Sequence, residues 1–290
     1  MKVRLLFSIG ILLGLSLTGS INAADEAQDS VGVKTQKNIK RPFFAFDNGM
    51  RQVRAFDEKA ALLKELGYDG VGWRIGVQPA KMIAALDKRG LKMISTYAHG
   101  KVDAKNPSLD KRIFEEMKVV KKHKTIIWLN LAKGEGATDE IAVKLINQLA
   151  DKAQEAGLKV VLYPHVTCYT ETVEDVLRLA EKVNRPNVGM SFNLCHFLKT
   201  DSEKNLKKVL RDAGDRLMLV SINGADSGDT KDWKRLILPL GDGTFDIKRV
   251  MNLLDEIEYT GPVGLQCYNI KGNDRENLKK SIAAWRSLNE

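Results

Sequence analysis

Three histidines follow short apolar runs: His99 after "MISTYA", His165 after "VVLYP" and His196 after "GMSFNLC". Imidazole titrates closest to neutral pH, so a pocket holding these rings could perform general acid–base chemistry. A lone histidine at such a place is more often structural. Three of the chain's four histidines at corresponding run ends argue for a pocket. The run ends also carry Asp47, Trp73, Arg74, Tyr163, Asn193, Asn223, Asp226 and Gln266. Amides, a phenol and indole rings suit a ligand rich in hydroxyls, and Trp233 could add a stacking surface. Tryptophan at a strand end is, as often, core packing. At "NLCH" a carboxylate at position 193 would suggest half of a metal site, but an amide stands there.

The cysteines share this bias. Cys168, Cys195 and Cys267 lie at or just beyond run ends. Their spacing matches no zinc motif. An odd count of 3 allows at most one internal disulfide, for which Cys168 and Cys195 are the candidate pair. Buried free thiols are the expected state, since free cysteine behaves as a small hydrophobe.

The elements that must hold these groups alternate along the chain. Apolar runs at 43–47, 69–75, 91–98, 125–131, 158–165, 187–194, 217–223 and 262–268 read as strands. Amphipathic stretches at 57–67, 79–90, 107–123, 138–157, 172–183, 202–214, 246–261 and 273–288 read as helices. Near-continuous apolar strands indicate burial on both faces, and strict alternation indicates a parallel sheet with right-handed crossovers. Eight such units in about 250 residues predict an α/β fold, a (β/α)8 TIM barrel in a single domain over residues 42–290. An open doubly wound sheet often carries a Gly-rich phosphate turn after its first strand, and "FDNGMRQV" is not one. In a barrel the strand C-terminal ends form one rim, which is where the candidate residues fall.

The first 23 residues read as a secretory signal peptide: basic "MKVR", apolar "LLFSIGILLGLSL" and small-residue "TGSINA". The apolar run is shorter than the roughly 20 residues that span a bilayer. Residues 24–41 are polar and aperiodic and read as a flexible lead-in. The expected location is therefore the periplasm or the extracellular space, with no stable membrane insertion. The formal charge is +9, and loss of Lys2 and Arg4 with the signal lowers it by two. Scattered lysines read as solvated helix faces, with affinity for anionic matter as the sharper alternative. They lack the interleaved aromatics of a nucleic-acid surface, so no nucleic-acid partner is expected. Oligomeric state is not legible in the sequence.

The order of elements, "GYDGVGW", "PHVTCYTETVEDVLRLAEKVNRPNVGMSFNLCHFL" and "LPLGDGTFDIKRVMNLLDEIEYTGPVGLQC" resemble the xylose isomerase-like TIM-barrel family from about Phe43 onward. The resemblance implies a sugar isomerase or epimerase fold with a divalent metal on Glu, Asp, His and Glu ligands. Those positions fall here on Tyr163, Asn193, Asn223 (or Ser221) and Gln266, so no metal or other cofactor is expected. The family's strand-five and strand-six histidines fall on His165 and His196, and the Asp after its third ligand on Asp226. Hard divalent cations need anionic oxygens to offset dehydration, and a neutral set supplies none. Two readings stay open. One is a metal-independent sugar isomerase or epimerase with His165, His196 and His99 as catalytic groups. The other is a non-catalytic carbohydrate-binding protein. In both, Tyr163, Asn193, Asn223, Gln266, Asp226, Trp73, Arg74 and Asp47 bind substrate. A nuclease like endonuclease IV, also in the family, needs several zinc ions and more histidines than this chain has.

Overall fold

The computed structural model describes residues 39–290. Eight parallel strands lead the architecture: β1 (Phe43–Phe46), β2 (Gly70–Arg74), β3 (Lys92–Val102), β4 (Ile126–Lys133), β5 (Val160–Leu162), β6 (Val188–Asn193), β7 (Leu217–Ile222) and β8 (Val263–Leu265). Each pairs with its sequence neighbours, and β1 pairs with β8 in register Phe43↔Val263, so the sheet closes into a (β/α)8 barrel. Around it run α1 (Phe56–Leu66), α2 (Pro79–Asp87), α3 (Arg112–Val120), α4 (Asp139–Glu155) and α5 (Val173–Val183). They are followed by α6 (Leu194–Thr200), α7 (Leu206–Ala213), α8 (Trp233–Leu236), α9 (Ile247–Glu256) and α10 (Asp274–Leu288). The signal-peptide reading of residues 1–23, and most of the lead-in, lie outside the described residues. No helix among the described residues is long and apolar enough to cross a membrane.

Local chemistry sets the helix ends. Thr172 and Asp175 form a reciprocal capping box that opens α5. Gly67, at φ 90°, closes α1 in the left-handed conformation that a side chain would resist.

Strand alternation divides the core in two. Outward residues such as Val71, Trp73, Leu129, Leu162 and Val220 pack under the helices. Inward residues Phe44, Phe46, Trp128, Val161, Tyr163 and Leu219 fill the barrel itself. The phenyl rings fit because glycine stands opposite them: a Cβ on Gly72 would come within 2.3 Å of Phe46, and one on Gly264 within 2.7 Å of Phe44. The interior is therefore filled, and a cavity opens above it, at the strand C-terminal ends.

The structure departs from the sequence reading in several places: α6 and α8 are additional short helices, and strands five and eight stop at Leu162 and Leu265. The stretch expected as a helix from residue 107 first forms a short antiparallel strand, Ser108–Leu109, against Gly100 and Lys101, and the helix starts at Arg112. Strand six, expected to reach residue 194, stops at Asn193, whose side chain caps α6. Arg41, assigned to the lead-in, is buried: its guanidinium donates to the Tyr259 carbonyl and pairs with Asp255, both at 2.7 Å.

Candidate active site

Period-two alternation carries Asn130, Tyr163 and His165 to the inner face of the barrel top. A cavity of about 1220 Å³ opens there, with His99, His165 and His196 among its lining residues. Its floor is aromatic: Trp128 stacks on Tyr163 at 3.8 Å, and Tyr97 tilts against Trp128 at 5.0 Å. Tyr163 meets the rings of both His165 and His196 edge-on.

The loop after β5 is pinned tightly. His165 N donates to Thr170 O, Cys168 N to His165 O, and the Thr170 hydroxyl to Tyr163 O. Inside it Thr167 sits at φ 71°, a conformation that is costly for a β-branched residue and that concentrates at functional sites. The loop places Val166 between the two histidines. His165 Nδ1 lies 2.9 Å from Val166 O, a carbonyl that only accepts, so Nδ1 carries the proton and Nε2 the lone pair. Val166 N donates to His196 Nδ1 at 3.3 Å, so the neutral His196 ring carries its proton on Nε2. The two rings are 4.2 Å apart. Burial, with His165 beside it, pushes His196 down to about 3. Burial also lowers His165. At neutral pH the pair is thus one uncharged acceptor next to one uncharged donor.

Behind the cavity, the other sequence candidates serve the frame. Asn193 is fully buried: its Oδ1 accepts from His196 N (3.3 Å) and the Cys195 thiol (3.1 Å), and its Nδ2 donates to the Tyr163 hydroxyl (3.4 Å). Asn223, also buried, donates through Nδ2 to Gly224 O and Leu236 O at 2.7 Å, holding the loop after β7 against the barrel. Gln266 does line the cavity, but its Oε1 takes Asn48 Nδ2, Cys267 N and Tyr268 N.

Six of the eight residues expected to bind substrate do not line the cavity. Trp73 points outward with Val71, packs on Phe56 and donates to Val77 O, so it belongs to the outer core. Asp47 is buried beneath the end of β1, where Arg74 Nε reaches it at 2.6 Å, and the Arg74 side chain is otherwise directed to solvent. Asp226 pairs with Arg235 at 2.8 Å and accepts from Thr244 N, closing its own loop. Asn193 and Asn223 likewise stay off the cavity wall.

The three cysteines are free, so Cys168 and Cys195 form no disulfide. The Cys168 thiol donates to Asn130 Oδ1 at 3.3 Å and lies 3.6 Å from His165 Nδ1. Burial raises it, which keeps it a thiol rather than a nucleophile.

Other cavity residues were not among the sequence candidates. Asn48, Tyr97, Asn130 and Tyr268 fall at or beside the ends of the apolar runs in the sequence, a signal that was available, although the strands carrying Tyr97 and Asn130 run on past them. Lys234, Asp242 and Lys271 come from the loops after β7 and β8, and nothing in their spacing announced them.

The donor set at Tyr163, Asn193, Asn223 and Gln266 does not fit a hard divalent cation. Burial holds the Tyr163 phenol well above its ordinary range, so it stays protonated. The Asn193 and Gln266 oxygens are already occupied by N–H and S–H donors. Only Asn223 Oδ1 is buried without a partner. Among the described residues, no cluster of three or more His, Cys, Asp or Glu could hold an ion.

Known proteins share this fold. The xylose isomerase-like TIM barrel family matches residues 60–288. The L-ribulose 3-epimerase of Methylomonas sp. (strain DH-1) is 27% identical over 150 residues, covering 51% of this chain and 48% of that protein. The chain thus spans about half the length of the curated relatives it matches. Among solved structures, the IolI protein with a bound zinc atom superposes with a TM-score of 0.67 at 17% identity, over 86% of this chain and 98% of that one. The apo 3-keto-D-glucoside 4-epimerase YcjR from E. coli gives 0.65 at 18% identity, over 86% and 100%.

Proposed function

We infer the function from one premise: the chain belongs to the xylose isomerase-like TIM-barrel family. Within it, we propose a sugar isomerase or epimerase that moves a proton on a carbonyl-bearing carbohydrate without the divalent metal, and that is exported to the periplasm or extracellular space. The curated relatives named as sugar epimerases support the substrate class. The basic-apolar-small pattern of residues 1–23 supports export.

The observation that carries the reading is the opposite tautomers that Val166 fixes in His165 and His196. His165 Nε2 takes the proton from the carbon beside the substrate carbonyl. The electron pair moves onto the carbonyl oxygen, and His196 Nε2–H donates a hydrogen bond to it. Delivery of a solvent proton to the other face, with His165 releasing its own to solvent, gives the epimer; return of the proton to the former carbonyl carbon, with the neighbouring hydroxyl proton passing to the old carbonyl oxygen, gives the isomer. A ring pushed down to about 3 competes poorly for that proton, so His196 stays a neutral donor throughout. His99, exposed at the rim, lies outside this pair and serves substrate entry or binding.

Carbohydrate binding without turnover is the second reading. It is favoured by the four family ligand positions being neutral, each of them engaged in hydrogen bonds within the frame. Incubation with keto-sugars in deuterated water separates the two. Incorporation of deuterium beside the carbonyl supports proton transfer. Saturable binding with no incorporation supports the second reading.

A further inference from the structure

The cavity is larger than one sugar ring needs. At about 1220 Å³ it exceeds the span of roughly 300–1,000 Å³ usual for small-molecule pockets. A ring seated on His165 and His196 leaves the mouth unfilled, and the mouth has a chemistry of its own.

The loops after β7 and β8 are neighbours because those strands pair, Ile222 with Leu265. Each loop brings one exposed aromatic ring and one lysine to the cavity: Trp233 with Lys234, and Tyr268 with Lys271. Trp233 and Tyr268, at 38% and 63% exposure, are the two large apolar side chains left exposed among the described residues. The platform under Trp233 is built rather than loose. Asp232 caps α8, Lys231 Nζ ties the loop to Leu198 O and Asp201 O, and Lys199 Nζ sits 5.0 Å from the Trp233 ring. Trp233 packs edge-to-face with His196, their ring centroids 5.4 Å apart, which joins the mouth to the proposed reacting groups.

Charge at the mouth is one-sided. Neither Lys234 nor Lys271 makes an ion pair among the described residues, and Lys271 Nζ reaches only Asn269 Oδ1, at 3.4 Å. The acid of the cavity wall, Asp242, is held by Lys280 at 2.5 Å. Deeper down, amides, phenols and two neutral imidazoles carry no charge.

We propose that the mouth is a second subsite, built by Trp233–Lys234 and Tyr268–Lys271, for an anionic sugar unit linked to the ring that reacts below it. The substrate class is then an acidic saccharide of two or more units rather than a free neutral monosaccharide. Stacking on the exposed rings supplies apolar contact with the sugar face, and the lysines select the anion. The shared chemistry is an anionic substituent, either a carboxylate or a phosphate ester. This inference rests on the sugar-processing reading of the same cavity.

A matched set of probes tests it by calorimetry: glucose, cellobiose, the 6′-uronate of cellobiose and its 6′-phosphate, at low and high salt. At low salt the acidic disaccharides bind about fivefold or more tighter than cellobiose, and the gain fades at high salt. Whichever of uronate and phosphate binds tighter identifies the anion. The double variant Lys234→Ala/Lys271→Ala removes the gain while its melting temperature stays at the wild-type value. Cellobiose binding as tightly as its acidic forms, or a gain that survives the double variant, overturns the subsite. If no probe binds, the sugar-processing reading itself falls.

Discussion

His165 and His196 are held in opposite tautomers by one residue between them: Val166 accepts from His165 Nδ1 through its carbonyl and donates to His196 Nδ1 through its amide. The rings come from the ends of adjacent strands, 4.2 Å apart, over the stacked pair Trp128 and Tyr163. This relationship gives the pocket a proton acceptor and a neutral donor without any charged group. On it rests the expectation that His165→Asn lowers turnover by about 10²–10⁴-fold, the usual share of a general base, with the fold retained. Steady-state kinetics and a thermal melt on the same preparation check it. A variant that melts like the wild type yet turns over at its rate removes His165 from the chemistry.

Buried neutral histidines make stability depend on pH in a fixed direction. The pKa of His196 falls from its ordinary 6.5 to about 3 on folding, so between these values the unfolded chain binds the proton and the folded chain does not. Stability therefore falls as pH drops below 6.5, by at most about 1.4 kcal/mol per pH unit for this ring. His196→Gln, which cannot titrate, should show a shallower loss between pH 6.5 and 4 in urea unfolding. Parallel curves for the two proteins would mean that the ring is not buried as described.

Asn193 is a cap before it is anything else. Asn193→Ala removes the acceptor for His196 N and leaves the Cys195 thiol without its partner, at a cost of about 1–2 kcal/mol. Asn193→Asp keeps the acceptor but buries a carboxylate with no cation beside it. Its folded pKa rises above the unfolded value, so the variant is less stable than wild type at pH 7 and recovers part of that deficit on acidification to pH 5. Denaturant midpoints at the two pH values, each referred to wild type, read this directly. A deficit unchanged by pH would show that the buried group is not titrating.

The filled barrel makes its own demand. Gly72→Ala drives a methyl group into the Phe46 ring and should cost about 1–3 kcal/mol, or a few degrees of melting temperature for a chain of this size. An unchanged melting temperature would mean that the interior is looser than the contacts imply.

The fold was legible in the sequence because each βα unit repeats the same physical pattern: an apolar run buried on both faces, then a helix whose ends carry caps such as Thr138 and Gly67. The rim position of His165 and His196 followed from the same pattern. Period-two parity could also have placed Trp73, since it shares a face with Val71, which packs outward. Asn193 was harder to read, because an amide at a strand tip is written the same way whether it faces a ligand or caps the next helix. The spacing Asn193 to His196 is that of an N-cap and its third helical residue, and the cap is what the structure shows. Lys234, Asp242 and Lys271 were illegible, since loop conformation alone decides which loop residues reach the cavity.

The central claim is proton transfer at a metal-free pair of histidines. It is tested most directly by deuterium incorporation into a keto-sugar panel, measured with and without EDTA on protein whose metal content is determined by elemental analysis. The account predicts less than stoichiometric Mn, Zn, Co or Mg, incorporation beside the carbonyl that EDTA does not change, and loss of that incorporation in His165→Asn. About one tightly held ion per chain, with incorporation abolished by EDTA and restored by a divalent cation, would contradict it.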